Sequence, residues 1–286
     1  MTLFIILTAW IIEHFAGVPD NMRNFQWFSS YVRMLENRCK RYPFWQGPGG
    51  VIITCAGPVF LIATLVWILL KLFYPMALVL SLLSLLYAMG PGYLNARLND
   101  YIRALEDSDL ARIQQLGTEF SIAEQGDQSD RVLLEGILVY AHNRLFGVLF
   151  WFMVLGPCGA VLYRLAAVLQ QEQRDVPGGY GDSVRDLYNI LNWPSSRLFA
   201  LGNALTGSMV DAMEAWREAE QRVLTVNENV IRTSGIGALH YQPEDETEHL
   251  LEDRIYWVRA LQAMLNRTLL AWLTILGLMT LSGWSG

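Results

Sequence analysis

The sequence predicts an all-α fold, a polytopic membrane helical bundle with about five or six transmembrane helices, each near the ~20 residues a bilayer needs, plus a cytoplasmic helical region. Three observations predict it. Apolar residues make up 53% of the 286-residue chain, and they are gathered in long blocks rather than scattered. Residues 145–163 carry no charge and lie between Arg144 and Arg164. A helix of that length rises about 28 Å, close to the thickness of a hydrocarbon layer. Finally, no stretch shows the period-two alternation of a strand.

The chain reads as a single membrane domain over 1–286, with spans near 1–18, 48–70, 73–90, 145–163, 195–212 and 268–283. Residues 1–18 lack a basic n-region and a small-x-small cleavage site, and Glu13 and His14 lie near the end of the run, so they read as a retained first span. Gly47-Pro-Gly-Gly50 is a turn leading into the second span, and the tight Lys71–Pro75 connection makes a hairpin with the third. Residues 195–212 are mildly apolar and rich in Gly, Ala, Ser and Thr. They fit either a span buried in a bundle or an amphipathic helix outside it. The last span lies between Arg267 and Trp284, an interface anchor.

Basic residues set the orientation. Arg23, Arg33, Arg38, Lys40 and Arg41 crowd the 19–46 loop, whereas the next connection holds only Lys71, which puts 19–46 and 91–144 in the cytoplasm and 165–194 in the periplasm. The location expected is the bacterial inner membrane, with several passes. In the polar helical region 91–144, Leu94, Leu98, Ile102 and Leu105 follow helical spacing. Ser108 and Asp109 cap a second helix carrying Ile113 and Leu116, and a loop and cap at 126–130 precede a helix running into the fourth span. Residues 213–266 form a second polar helical and loop region.

Several chemistries lack their residues. No P-loop, GxSxG or HExxH motif occurs. A net charge of −6 gives no basic surface for nucleic acid. Cys39, Cys55 and Cys158 read as buried small residues, and the four histidines have no ligand spacing, so no metal site, cofactor or catalytic residue is assigned. The acidic tract Pro243–His249 reads as a solvated loop.

What remains is the Gly156-Pro157-Cys158-Gly159 break inside the fourth span. Pro157 removes one backbone hydrogen bond and crowds the preceding turn. Either a packing kink against a small-residue helix or a broken helix lining a polar pocket satisfies the carbonyls it frees. Asn192-Trp193-Pro194 is the second candidate, with Pro194 suiting the first turn of a helix and Arg197 snorkelling to the headgroups.

Phe150-Trp151 followed by Gly156-Pro157-Cys158-Gly159-Ala160 and Tyr163-Arg164 resembles the FW…GGPPGA..YR signature of the AmpE/CbiB/CobD membrane family. Leu191-Asn192-Trp193-Pro194 with Arg197-Leu198 resembles a later segment of that family, and residues 98–113 resemble its cytoplasmic helix pair. One branch comprises the cobinamide-phosphate synthases; the other is AmpE, tied to β-lactamase induction. The synthase branch carries Ala-Glu-Asn-Thr-x-Asp-Gly before its FW and a His-Pro near its N-terminus. Here the first stretch reads Ala141-His142-Asn143-Arg144-Leu145-Phe146-Gly147, with no carboxylate between Asn143 and Trp151, and the second reads Gly17-Val-Pro-Asp-Asn-Met. The chain therefore resembles the AmpE branch. That resemblance implies a regulatory or sensory protein linked to β-lactamase induction and cell-wall stress. The alternative is a divergent synthase-like transferase or ligase acting on an anionic small molecule, supported if Glu106, Asp109, Glu135 or Glu248 converge on the break. The expected ligand-binding set is Asn143, Arg144, Gly156, Pro157, Gly159, Tyr163, Arg164, Asn192, Trp193 and Arg197. Its arginines would meet an anionic small molecule or lipid headgroup. Membrane lipids and a membrane-protein partner are the other expected contacts.

Overall fold

The computed structural model describes residues 2–15, 25–39, 42–89, 94–120, 129–173, 178–221, 226–241 and 251–282, and these contain twelve α-helices and no strand. The chain divides into two compact units, Met1–Gly92 with Gly147–Ser195, and Tyr93–Phe146 with Ser196–Gly286.

The first unit holds α1 (Thr2–Phe15), α2 (Gln26–Cys39), α3 (Pro48–Leu72), α4 (Tyr74–Ala88), α8 (Gly147–Glu172) and the head of α9 (Gly179–Thr206). Gly47 caps α3 and Pro48 opens it, where a missing N–H costs nothing. Phe73 alone separates α3 from α4, so the expected hairpin forms. α3 leaves Phe60 70% and Trp67 63% exposed, the outward apolar surface of a helix whose solvent is lipid. The basic 19–46 segment contains more than charge: α2 buries Phe28 and Val32 there. They join Val51 and Cys55 of α3, Val161, Leu165 and Leu169 of α8, and Val184 of α9 in one core.

The second unit holds α5 (Leu94–Glu106), α6 (Leu110–Glu119), α7 (Asp130–Ala141), a π-helical turn at His142–Phe146, the tail of α9, α10 (Met209–Gln221), α11 (Val226–Ala238) and α12 (Leu251–Leu281). The periodicity of α5 holds, with Leu94, Leu98, Ile102 and Leu105 all buried. Asp109 caps α6 by accepting from the Arg112 N–H at 3.1 Å, and Ser129 caps α7. Arg254 of α12 pairs with buried Asp130 of α7, and Arg259 reaches Glu106 at 2.9 Å. Asp211 accepts from the Ser208 hydroxyl and meets His240 Nδ1 at 2.7 Å. Those two hydrogen bonds hold its carboxyl below the usual carboxylate range.

Among the described residues, three stretches are long and apolar enough to cross a bilayer: Pro48–Leu72, Asp130–Glu172 and Leu251–Thr280. That is fewer than the five or six spans expected: Thr2–Glu13 and Tyr74–Ala88 are apolar but shorter than the ~20 residues a crossing helix needs. The expected span at 195–212 is not one helix. α9 stops at Thr206, and Gly207 presses so close to the Ala238 carbonyl that a Cβ would lie 2.2 Å from it. Ser208 N–H then donates to Ala238 O at 2.8 Å, fixing the break before α10. The helix that carries the last apolar stretch begins well before 268, since α12 starts at Leu251. Trp284, the 126–128 loop and the 243–249 tract lie outside the described residues.

Candidate functional site

The break at Gly156–Gly159 is a reversal of direction. Gly156 has φ 63° and ψ −150°. A residue before proline is pushed out of the α region, and glycine alone enters positive φ without strain. Pro157 then opens a new half-helix. On a straight rod Gly147 and Tyr163 would be about 24 Å apart. Instead a Cβ on Gly147 would lie 2.3 Å from the Tyr163 hydroxyl. Likewise a Cβ on Gly159 would lie 2.2 Å from the Trp151 carbonyl. Both pairs are centred on Leu155. The span over 145–163, expected to kink or break at Gly156–Gly159, is therefore two half-helices folded against each other, and glycine at 147 and 159 leaves room for the closure.

Both halves are tied to one turn of α9. Trp151 Nε1 donates to the Leu191 carbonyl at 2.9 Å, and Tyr163 Oη donates to Asn192 Oδ1 at 3.0 Å. Asn192 is fully buried, and its Nδ2 has no hydrogen-bond partner among the described residues. A buried amide left half satisfied marks strain, a hidden water or a ligand contact. At the head of α9, Tyr180 donates to Thr54 Oγ1 at 3.2 Å and stacks on Trp45. Burial pushes its phenol up to about 12, so it remains a neutral donor.

The expected site residues fall as follows. Gly156, Pro157, Gly159, Tyr163, Arg164, Asn192 and Trp193 belong to the first unit. The reversal brings Gly159 to Trp151 and Tyr163 to Asn192. Arg164 is buried, its guanidinium 5.1 Å from the centre of the Phe25 ring. Trp193 is exposed. Pro194 lies inside α9 rather than in its first turn, because Gly179 begins the helix much earlier. Asn143, Arg144 and Arg197 belong to the second unit. Asn143 Oδ1 is 3.1 Å from His142 Nδ1 in the π-turn, and Arg144 stands over Tyr140 at 5.3 Å. Arg197 donates to Asn227 Oδ1 at 2.7 Å.

Of the carboxylates that would have supported an enzyme, Glu106 pairs with Arg259, Asp109 caps α6, and Glu135 pairs with Arg131 and Arg232. Glu248 lies outside the described residues. Among the described residues no three His, Cys, Asp or Glu side chains cluster as metal ligands. Sequence reasoning missed Gly147 and Leu191. The signal for Gly147 was present, since it and Tyr163 are spaced evenly about Leu155, as Trp151 and Gly159 are.

Residues 1–283 match the family model described as regulatory signalling modulator protein AmpE. The chain belongs to the AmpE family. It is also similar to two curated proteins, each named cobalamin biosynthesis protein CobD. The one from Chromobacterium violaceum is 33% identical over 114 residues, which cover 38% of this chain and 36% of that protein. The one from Stutzerimonas stutzeri is 32% identical over 117 residues, 38% of this chain and 37% of that protein. The matched stretch thus spans well under half the length of these relatives. No solved structure matches. The glycine–proline break read above is therefore part of an AmpE-family chain that shares a limited segment with CobD.

Proposed function

We propose that this chain is a multi-pass inner-membrane signalling protein that tunes induction of a chromosomal β-lactamase in response to cell-wall stress. The observation that carries this reading is the AmpE family match over residues 1–283. The apolar stretches at Pro48–Leu72, Asp130–Glu172 and Leu251–Thr280, with the shorter Thr2–Glu13 and Tyr74–Ala88, supply the membrane-embedded part. Short apolar helices reside in a bilayer by thinning it or by packing on longer neighbours, at modest cost. The folded-back α8 belongs with this reading, because irregular backbone at membrane depth is tolerated where protein surrounds it.

The test is genetic. Deleting the gene from a strain with an inducible β-lactamase, then exposing cells to a cell-wall-active inducer, changes the ratio of induced to basal β-lactamase activity. The intact gene restores that ratio. An unchanged ratio overturns the proposal. The CobD-like segment favours a second reading, a transferase or ligase acting on an anionic small molecule. Rescue of a strain lacking cobinamide-phosphate synthase would establish it in place of the first.

A further inference from the structure

The first unit contains a cavity of about 410 Å³, bounded by α3, α4, α8 and the start of α2. That is within the 300–1,000 Å³ range typical of ligand pockets. α3 contributes Pro58 and Ile62 to its lining and α4 contributes Leu80 and Leu83. Among the described residues of the lining, Arg164 is the one that carries a charge. Leu83 is 56% exposed and Trp27 47%, so the cavity opens on the outer apolar surface of the unit. Aromatic groups sit together on this lining. Trp27 Nε1 donates to Tyr87 Oη at 2.6 Å, and Phe25 packs on Tyr87 with ring centres 4.8 Å apart.

We infer that this cavity is a binding site for an anionic phospholipid, with an acyl chain along Ile62, Leu80 and Leu83 and the phosphate on Arg164. The chemistry of the lining selects that class. A small hydrophilic anion would exchange its water for one guanidinium and an apolar wall, a poor trade. An amphiphile gains from both parts, by burying its chain and pairing its phosphate with a planar, fork-shaped donor. Arg164 has interactions inside the protein. A guanidinium carries five N–H donors in a planar fork, so one such group can hold a protein partner and a phosphate at once. Trp and Tyr beside the opening match the residues that favour the headgroup level of a bilayer. The inference rests on membrane residence and not on the signalling role, so the two fail separately.

Quenching of Trp27 fluorescence by brominated lipid tests it. The full chain is placed in phosphatidylcholine nanodiscs containing increasing fractions of brominated phosphatidylglycerol. The signal is that of the wild type minus that of Trp27→Phe. Brominated phosphatidylglycerol is expected to quench at a much lower fraction than brominated phosphatidylcholine. Arg164→Gln should raise the quenching midpoint about tenfold, the loss of one charge-assisted contact. Ile62→Phe crowds the chain wall without adding a tryptophan to the signal, keeps the charge and should raise it similarly; it decides the matter if Arg164→Gln does not fold. Equal quenching by the two lipids, or an unmoved midpoint in a folded variant, overturns the site. Displacement of the lipid by soluble glycerol phosphate would make the ligand a free anion and overturn the lipid assignment.

Discussion

Two glycine–proline pairs sit inside apolar helices of the same unit, and they behave oppositely. In α3, Gly57-Pro58 is followed by Val59-Phe60, and the helix continues from Pro48 to Leu72 without a non-helical residue. In α8, Gly156-Pro157 is followed by Cys158-Gly159, and the backbone reverses at Gly156 with φ 63°. Each proline withholds one N–H from the turn before it, so that loss alone does not choose the outcome. The difference lies two residues beyond the proline. Gly159 lets the second half-helix pass against the Trp151 carbonyl, whereas α3 has Phe60 at the equivalent place. Tertiary partners complete the choice. Tyr31 packs its hydroxyl over Gly57, while α9 accepts hydrogen bonds from both halves of α8. Pro194 of α9 is a third case. Its preceding residue is Trp193, which cannot take positive φ cheaply, and the helix continues.

The contrast can be broken most severely at Gly159. Gly159→Leu drives a side chain into a backbone carbonyl that cannot step aside. A loss of more than about 3 kcal/mol is expected, at the upper end for overpacking. Thermal unfolding in detergent measures it, and a melting temperature within a degree or two of wild type would refute the folded-back geometry. Gly147→Leu should cost less, about 1–3 kcal/mol, because the obstacle is the tip of the Tyr163 ring. Adding Tyr163→Ala should relieve part of that cost, so the double variant deviates from additivity. Strict additivity would separate the two residues. The smallest and most discriminating pair is Gly156→Ala against Gly57→Ala. The first forces a Cβ into positive φ and should destabilise by about 1–2 kcal/mol. The second meets the hydroxyl at the far end of the Tyr31 side chain and gains up to about 1 kcal/mol of helix propensity, so it should be close to neutral. Equal effects would mean that the two glycines do the same job.

Much of this architecture was legible in the chain. The helical period of Leu94, Leu98, Ile102 and Leu105, the caps at Asp109 and Ser129, and the hairpin around Phe73 all follow local rules. So does the position of the break at Gly156. The site was legible only in pieces. Tyr163 and Asn192 stand far apart in sequence, and nothing local says that one donates to the other. The Phe25 ring under Arg164 is equally hidden, because the run of basic residues over 19–46 masks a helix with a buried face that begins just after Phe25.

Composition and periodicity determined that the chain is helical, where its apolar stretches lie and which residue can interrupt them, because each of these depends on neighbours within a few turns. Which glycine–proline pair turns the chain and which leaves it straight was decided by tertiary structure. That outcome depends on clearance between half-helices and on acceptors supplied by α9, and both exist only once distant segments have packed.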